Sequence, residues 1–197
     1  KNKKEIMYKN AIVKVYDVPV FYFPKFFHPD PSVKRRSGLL QPRLNNSNIL
    51  GTSINLPYFH VISSDKDYTF KPTIFDNRIY MFQNEYRQET ENSSFIADFG
   101  YTKGYRSKSS NYKSNGMSHF FSKLDIDLGF DSFSNSKLDI FFEKVSMDTF
   151  LSIFDPVLLT DKSLQASLKD HGTMSSGLKL SLDHEDYNLT GSFEMYE

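Results

Sequence analysis

The chain has 197 residues, with 24 Lys+Arg against 24 Asp+Glu for a formal net charge of zero, and it contains neither Cys nor Trp. Zero net charge argues against a general nucleic-acid binder, which needs a basic face, and without cysteine there is no disulfide framework or thiolate metal site. A mean hydropathy of −0.49 and the lack of a long apolar run exclude a transmembrane helix, but not a membrane β-barrel, whose strands carry apolar residues only in alternation.

The 19 Phe and 12 Tyr lean the fold toward all-β. The sequence starts at Lys1 without an initiator Met or a signal peptide, which predicts a processed product or a piece of something longer. Glu5 to Tyr8 and Ala11 to Tyr16 read as two short strands, followed by an extended apolar strand through Phe23. Prolines 19, 24, 29 and 31 forbid helix there and limit ladder bonding. They place a boundary between Pro24 and Ser37. The cluster Lys34, Arg35 and Arg36 at this boundary reads either as a solvated junction or as an anion site, because guanidinium forks match phosphate oxygens.

Beyond the boundary the pattern has a period of two, the signature of strands with one apolar and one polar face. Leu50, Thr52, Ile54, Leu56 and Tyr58 oppose Gly51, Ser53, Asn55 and Pro57. Tyr68, Phe70, Pro72 and Ile74 oppose Thr69, Lys71 and Thr73. The stretch from Ile79 to Glu89 sets Gln83, Glu85, Arg87 and Glu89 on one face. Phe95, Ala97, Phe99 and Tyr101 oppose Asp98, Gly100 and Thr102, with Ile96 out of place. The same alternation recurs over Phe120–Phe130, Leu138–Glu143, Leu178–Asp183 and Tyr187–Met195. Helical periodicity is weak everywhere and strongest over Leu158–Leu168.

The links alternate in character. "SSDKD", "ETENSS", "DSFSNS" and "HED" are compact, whereas "GYRSKSSNYKSNGMS" and the stretch from Met147 to Ser176 are long and, together with "DNR", fall at the opposite end. Outer-membrane barrels have short turns at one end and long loops at the other, and strands of about ten residues suit a tilted membrane-spanning strand. A soluble β-sandwich alternates in the same way, so both readings stand on the pattern alone.

Chemistry-bearing motifs are sparse. His28, His60, His119, His171 and His184 show no metal-ligand spacing, and there is no P-loop, GxGxxG or GxSxG. The five histidines read as surface or aromatic-belt residues. Asp65 and Asp67 read as a solvated turn, since a calcium loop needs a Gly and a distal Glu that are missing. Asp125 and Asp127 share one strand face, facing a lumen in a barrel or water in a sandwich. No catalytic residue, metal site or cofactor is predicted, and the chain does not read as an enzyme.

One combination is specific. "VPVFYFPKFFHPDPSVKRRSGLLQP", followed by "LGTSINLPYF", with "DYTFKP", "EYRQE" and "DTFL" further on, resembles the LPS-assembly protein family LptD (OstA/Imp), over most of the chain. The resemblance implies an all-β fragment: residues 1–31 as the last strands of a periplasmic β-jelly roll, 32–37 as a basic junction, and 38–197 as the first nine or so strands of an incomplete outer-membrane barrel, beginning with Gly38 to Leu44. It implies delivery of lipopolysaccharide to the outer leaflet. Pro42 and Pro57 would weaken a lateral gate between first and last strands, and Val13, Val15, Val18, Val20 and Tyr22 would line the jelly-roll groove. Lys34, Arg35 and Arg36 would sit at the periplasmic rim or touch phosphate. Implied partners are lipopolysaccharide, a lipoprotein plug (LptE-like), a periplasmic bridge protein (LptA-like) and outer-membrane lipid; the implied location is the outer membrane, with the N-terminal part in the periplasm. A soluble all-β binding module and another outer-membrane channel are the alternatives.

Overall fold

The computed structural model describes residues 5–15, 17–29, 35–76, 79–103, 116–158 and 173–196. Among the described residues it is all-β and antiparallel, apart from one short helix.

The N-terminal part is a two-stranded hairpin of β1 (Glu5–Val15) and β2 (Val18–Pro29), paired from Glu5↔Pro29 to Val15↔Val18. The two short strands expected before Tyr16 are therefore one strand. The ladder keeps one register on both sides of residue 10 (Lys9↔Lys25, Ala11↔Phe23) although Asn10 itself adopts a left-handed backbone (φ 54°), a conformation Asn tolerates better than most residues. Asp17 (φ 64°) does the same at the tip.

The second sheet is a meander of β3 (Gly38–Leu39), β4 (Arg43–Ser47), β5 (Gly51–Asn55), β6 (Tyr58–Val61), β7 (Lys66–Phe75), β8 (Tyr80–Glu89), β9 (Ser93–Lys103), β10 (Met117–Asp127), β11 (Asn135–Val145), β12 (Ser175–Asp183) and β13 (Asn188–Tyr196). The segments β3 and β4 are halves of one strand, and so are β5 and β6, because β7 pairs with β5 and β6 in one continuous register (Asn55↔Thr73, Tyr58↔Phe70). The first strand thus reaches Ser47 rather than Leu44, and it breaks at residues 40–42. The eleven segments make nine strands in sequential order, and the path from β13 to β3/β4 does not close on itself.

The two faces are inverted relative to a soluble protein. Thr69, Lys71 and Thr73 of β7, Gln83 and Glu85 of β8, and Asp98 and Thr102 of β9 are buried. On the other face Ile74, Tyr80, Phe82, Phe99, Tyr101, Phe120, Phe142 and Leu178 are exposed. A flat single-layer sheet cannot bury one face unaided. Among the described residues only a nine-residue helix helps to cover it, and the sheet curls around its own polar side chains, as closing a barrel requires.

The helix α1 (Phe150–Leu158) follows β11. It starts earlier than the weak periodicity around Leu158–Leu168 predicts; residues 159–172 lie outside the described residues. Phe150, Leu151, Ile153 and Phe154 fall at helical spacing and are buried, while Ser152 is exposed. They join Leu50, Phe75, Ile79, Met81, Met117, Phe121 and Met174 in an apolar cluster, concentrated at the end where the long links lie. Burying a side chain of this size stabilises by about 1.5–3 kcal/mol. Ile96 is buried in the same cluster, which explains why it breaks the alternation of its strand.

Candidate functional site

The curled sheet has a polar interior with an apolar cap at one end. At the other end lies the junction that precedes β3. Arg35 donates through Nη1 to the Ser64 carbonyl (2.7 Å) and its other nitrogen pairs with the Asp67 carboxylate. Asp67 also accepts from Arg87 Nε at 2.9 Å. Asp67 is thus a buried member of β7 and not part of a solvated turn, and Arg35 clamps the junction to the β6–β7 link. Within that link Ser63 Oγ donates to Asp65 at 2.5 Å. This bond, helped by Asp65's own backbone N–H, holds the carboxyl below its ordinary value.

Deeper inside, Lys71 Nζ donates to Glu85 Oε2 at 2.7 Å, with both side chains nearly inaccessible. On the next strands Asp98 accepts from Gln83 Nε2 at 2.8 Å and lies 2.6 Å from His119 Nε2. His119 is 2% exposed, so it is not the surface residue expected. Its ring stacks on Phe121 (4.7 Å) and leans on Phe150 of α1 (5.2 Å), linking the polar interior to the cap. Gly100 makes room for it: a Cβ there would fall 2.2 Å from His119 Cε1. Among the other histidines, His60 and His184 are on the surface or stacked on Tyr187, His171 lies outside the described residues, and the side chain of His28 is not described. Among the described residues no group of three His, Asp or Glu side chains is placed to hold a metal ion, and no helix is long and apolar enough to cross a membrane, which says nothing of strands.

The predicted residues separate into groups. Pro42 and Pro57 come together, lining a cavity of about 610 Å³ with Arg43, Asn55, Lys71 and Arg87. Arg35 and Arg36 border this end, Arg36 half-buried; Lys34 lies outside the described residues. Val18 and Tyr22 are exposed on β2, where Tyr22 Oη donates to Asn10 Oδ1 at 2.7 Å. Val13, Val15 and Val20 lie on the hairpin strands, but their side chains are not described. Gln83 is buried on the polar face of its strand beside Glu85, as the alternation predicts. Asp67 and His119 were missed as interior residues, although each shares its strand parity with a polar row.

The first two strands are built unlike the rest. Gly38↔Phe59 and Leu39↔Tyr58 follow one register and Arg43↔Asn55 to Ser47↔Gly51 another, one residue apart. Gln41 and Pro42 therefore share a single opposite residue, Leu56, in a bulge that switches which side chains face inward.

No family model matches the chain. Curated proteins do match part of it. The LPS-assembly protein LptD of Polaromonas sp. (strain JS666 / ATCC BAA-500) is 40% identical over 77 residues, 39% of this chain and 9% of that protein. The LptD of Ectopseudomonas mendocina (strain ymp) is 36% identical over 84 residues, 43% of this chain and 9% of that protein. This chain resembles a stretch of LptD. A third match, the LptD of Nitrosomonas europaea, is 30% identical over 101 residues, half of this chain and 14% of that protein. These matches to LptD cover less of the chain than the motifs alone implied, and the chain corresponds to a small part of each relative.

Proposed function

We propose that this chain is the segment of an outer-membrane lipopolysaccharide-assembly protein that joins a periplasmic jelly roll to its barrel. Residues 1–31 end the jelly roll, 32–37 form the rim, and 38–197 supply the first nine barrel strands. The observation that carries this reading is the inversion of faces: antiparallel strands of 9–11 residues with aromatic side chains outside and ion pairs inside. Hydrocarbon tolerates only structures whose backbone hydrogen bonds close internally, and such a strand suits that setting. The LptD resemblance supplies the cargo class.

Lipopolysaccharide has an anionic, sugar-rich head and several acyl chains. A polar interior suits the head, and an opening between first and last strands lets the chains stay in lipid. Pro42 and Pro57 weaken pairing beside that opening, since proline donates no ladder bond. Val13, Val15, Val18, Val20 and Tyr22 line the groove that hands the cargo on, from an LptA-like bridge protein. An LptE-like lipoprotein fills the barrel. Lys34, Arg35 and Arg36 at the rim are the cations that a phosphate of the cargo would meet there, with Arg35 also held by Asp67.

The test is depletion of the full-length protein in its source cells, with surface lipopolysaccharide measured by labelling and the compartment by fractionation. A heat-modifiable outer-membrane band far above 22.9 kDa, with loss of surface lipopolysaccharide on depletion, supports the reading. A soluble band overturns it in favour of a binding module. An outer-membrane band without the lipopolysaccharide defect points to another channel.

A further inference from the structure

Pro42 and Pro57 are followed by a third proline in the next strand. Prolines 42, 57 and 72 are spaced 15 residues apart, and the meander brings them to one level. Pro42 shares Leu56 as its opposite residue, Leu56 pairs with Pro72, and Pro57 lies beside both.

The direction of each missing donor follows from ladder alternation, in which successive residues of a strand bond to opposite neighbours. Leu56 N donates to the Pro72 carbonyl at 3.0 Å, and Asp76 N to the Thr52 carbonyl at 2.9 Å. Even-numbered residues of the second strand thus bond to β7, and odd-numbered ones to the first strand. The bond that should return from residue 72 to the Leu56 carbonyl cannot form, because Pro72 has no N–H. Leu40 N donates to the Pro57 carbonyl at 2.8 Å, and Pro57 likewise cannot reciprocate. Arg43 pairs toward Asn55, so residue 42 turns its nitrogen to the open edge of the sheet. One donor is therefore missing from three adjacent ladders at one height: the open edge, the first–second pair and the second–third pair.

The row ends at Pro72. The residue opposite on β8 is Phe82, and no later strand of the sheet contains a proline. Two further features lie on the row. The bulge at Gln41 and Pro42 bends the first strand there, and the cavity of about 610 Å³ opens on the interior side behind Pro42 and Pro57. A side-chain stitch spans the weakened second–third ladder: Asn55 Nδ2 donates to Thr73 Oγ1 at 2.7 Å.

We infer that Pro72 is a positioning residue for gate opening, the inner end of a crease that crosses the first three strands. The inference rests on the gate reading above. Opening is then not confined to the edge. The half of these strands nearest the junction folds along the crease into the cavity, while β8 and later strands hold still. Asn55 and Thr73 limit how far the crease yields.

The experiment uses the full-length protein. Pro72→Ala restores the missing donor, and Pro72→Val does so with a strand-favouring side chain. Hydrogen exchange of the Leu56 amide is measured on the purified protein, and arrival of lipopolysaccharide at the surface is measured in cells, normalised to the heat-modifiable band. One added ladder bond should slow Leu56 exchange about fivefold and reduce delivery by a comparable factor. Adding Thr73→Val, which cuts the stitch, should restore part of the delivery, a recovery that a merely structural role would not give. The inference is overturned if both proline replacements leave delivery unchanged, or if exchange at Leu56 does not slow. Pro42→Ala and Pro57→Ala separate the two ideas. If these impair delivery and Pro72→Ala does not, the crease fails alone; if none of the three impairs it, the gate reading fails as well.

Discussion

The first two strands and the wall formed by β8 to β11 belong to one sheet but follow different rules. The wall has uninterrupted strands of 10–11 residues, a buried Gln83–Asp98–His119 group and an apolar cap. The first two strands break into short segments at Pro42 and Pro57, change register once, and face a cavity instead of a packed interior. The contrast teaches that stiffness in this sheet is set by what lies on its inner side and by which ladder donors exist. Hydrophobicity does not distinguish the two regions, since both carry apolar residues outside.

The largest effect should come from the wall. Asp98→Ala removes the buried carboxylate that Gln83 Nε2 and the enclosed His119 both bond to. Breaking a buried polar pair of this kind costs about 3–5 kcal/mol, so the heat-modifiable form of the full-length protein should be lost at markedly lower temperature. Arg43→Ala, an exposed change on the first strand, should stay within about 0.5 kcal/mol. Equal effects would erase the distinction.

Next comes the cap. Phe154 is fully buried against Phe75 and Phe150, and Phe154→Ala should cost about 3–5 kcal/mol by leaving a void. Limited proteolysis of the link after β11 should then become faster, while cleavage near residues 40–42 stays as it was.

The first strands should respond with the opposite sign. Pro57→Ala adds a donor opposite Leu40 and should stabilise by about 0.5–1.5 kcal/mol, read as a higher unfolding midpoint. A lower midpoint would mean that the ring of Pro57, which is buried, is needed for packing, and the region would resemble the wall after all.

The smallest effect is at the rim. Asp65 is held below its ordinary carboxylate value by Ser63. A depressed folded value stabilises above the unfolded value and is lost as pH falls through the folded one. Ser63→Ala should therefore lower stability slightly above the usual carboxylate range, neutrality included, make no difference well below it, and so flatten the acid limb of the stability profile between the two.

Much of this was legible in the sequence. Alternation located the strands of the wall correctly, because an inverted sheet shows the same period of two as an ordinary one. The ends of the first two strands were less legible. A bulge flips parity partway along a strand, so Gly38 to Leu44 looked continuous. His119 was misplaced because its environment comes from neighbouring strands: Asp98 and Gly100 from β9, and Phe150 from a helix whose periodicity is only nine residues long. Pro42 and Pro57 could be singled out by family motif. Pro72 could not, because its meaning depends on which neighbour its nitrogen faces, and only the register supplies that.

The meander has a consequence for how the molecule assembles. Every ladder in the sheet joins strands that are neighbours in sequence, so each can form as soon as the next strand is available, at little loop-closure cost. In the barrel proposed above, the pairing of the first strand with a last one would be different: it would wait for the whole chain and bear the largest entropy of closure. The strand left for that final step would be the one containing Pro42, where a donor is missing. The slowest contact to form would then also be one of the easiest to undo.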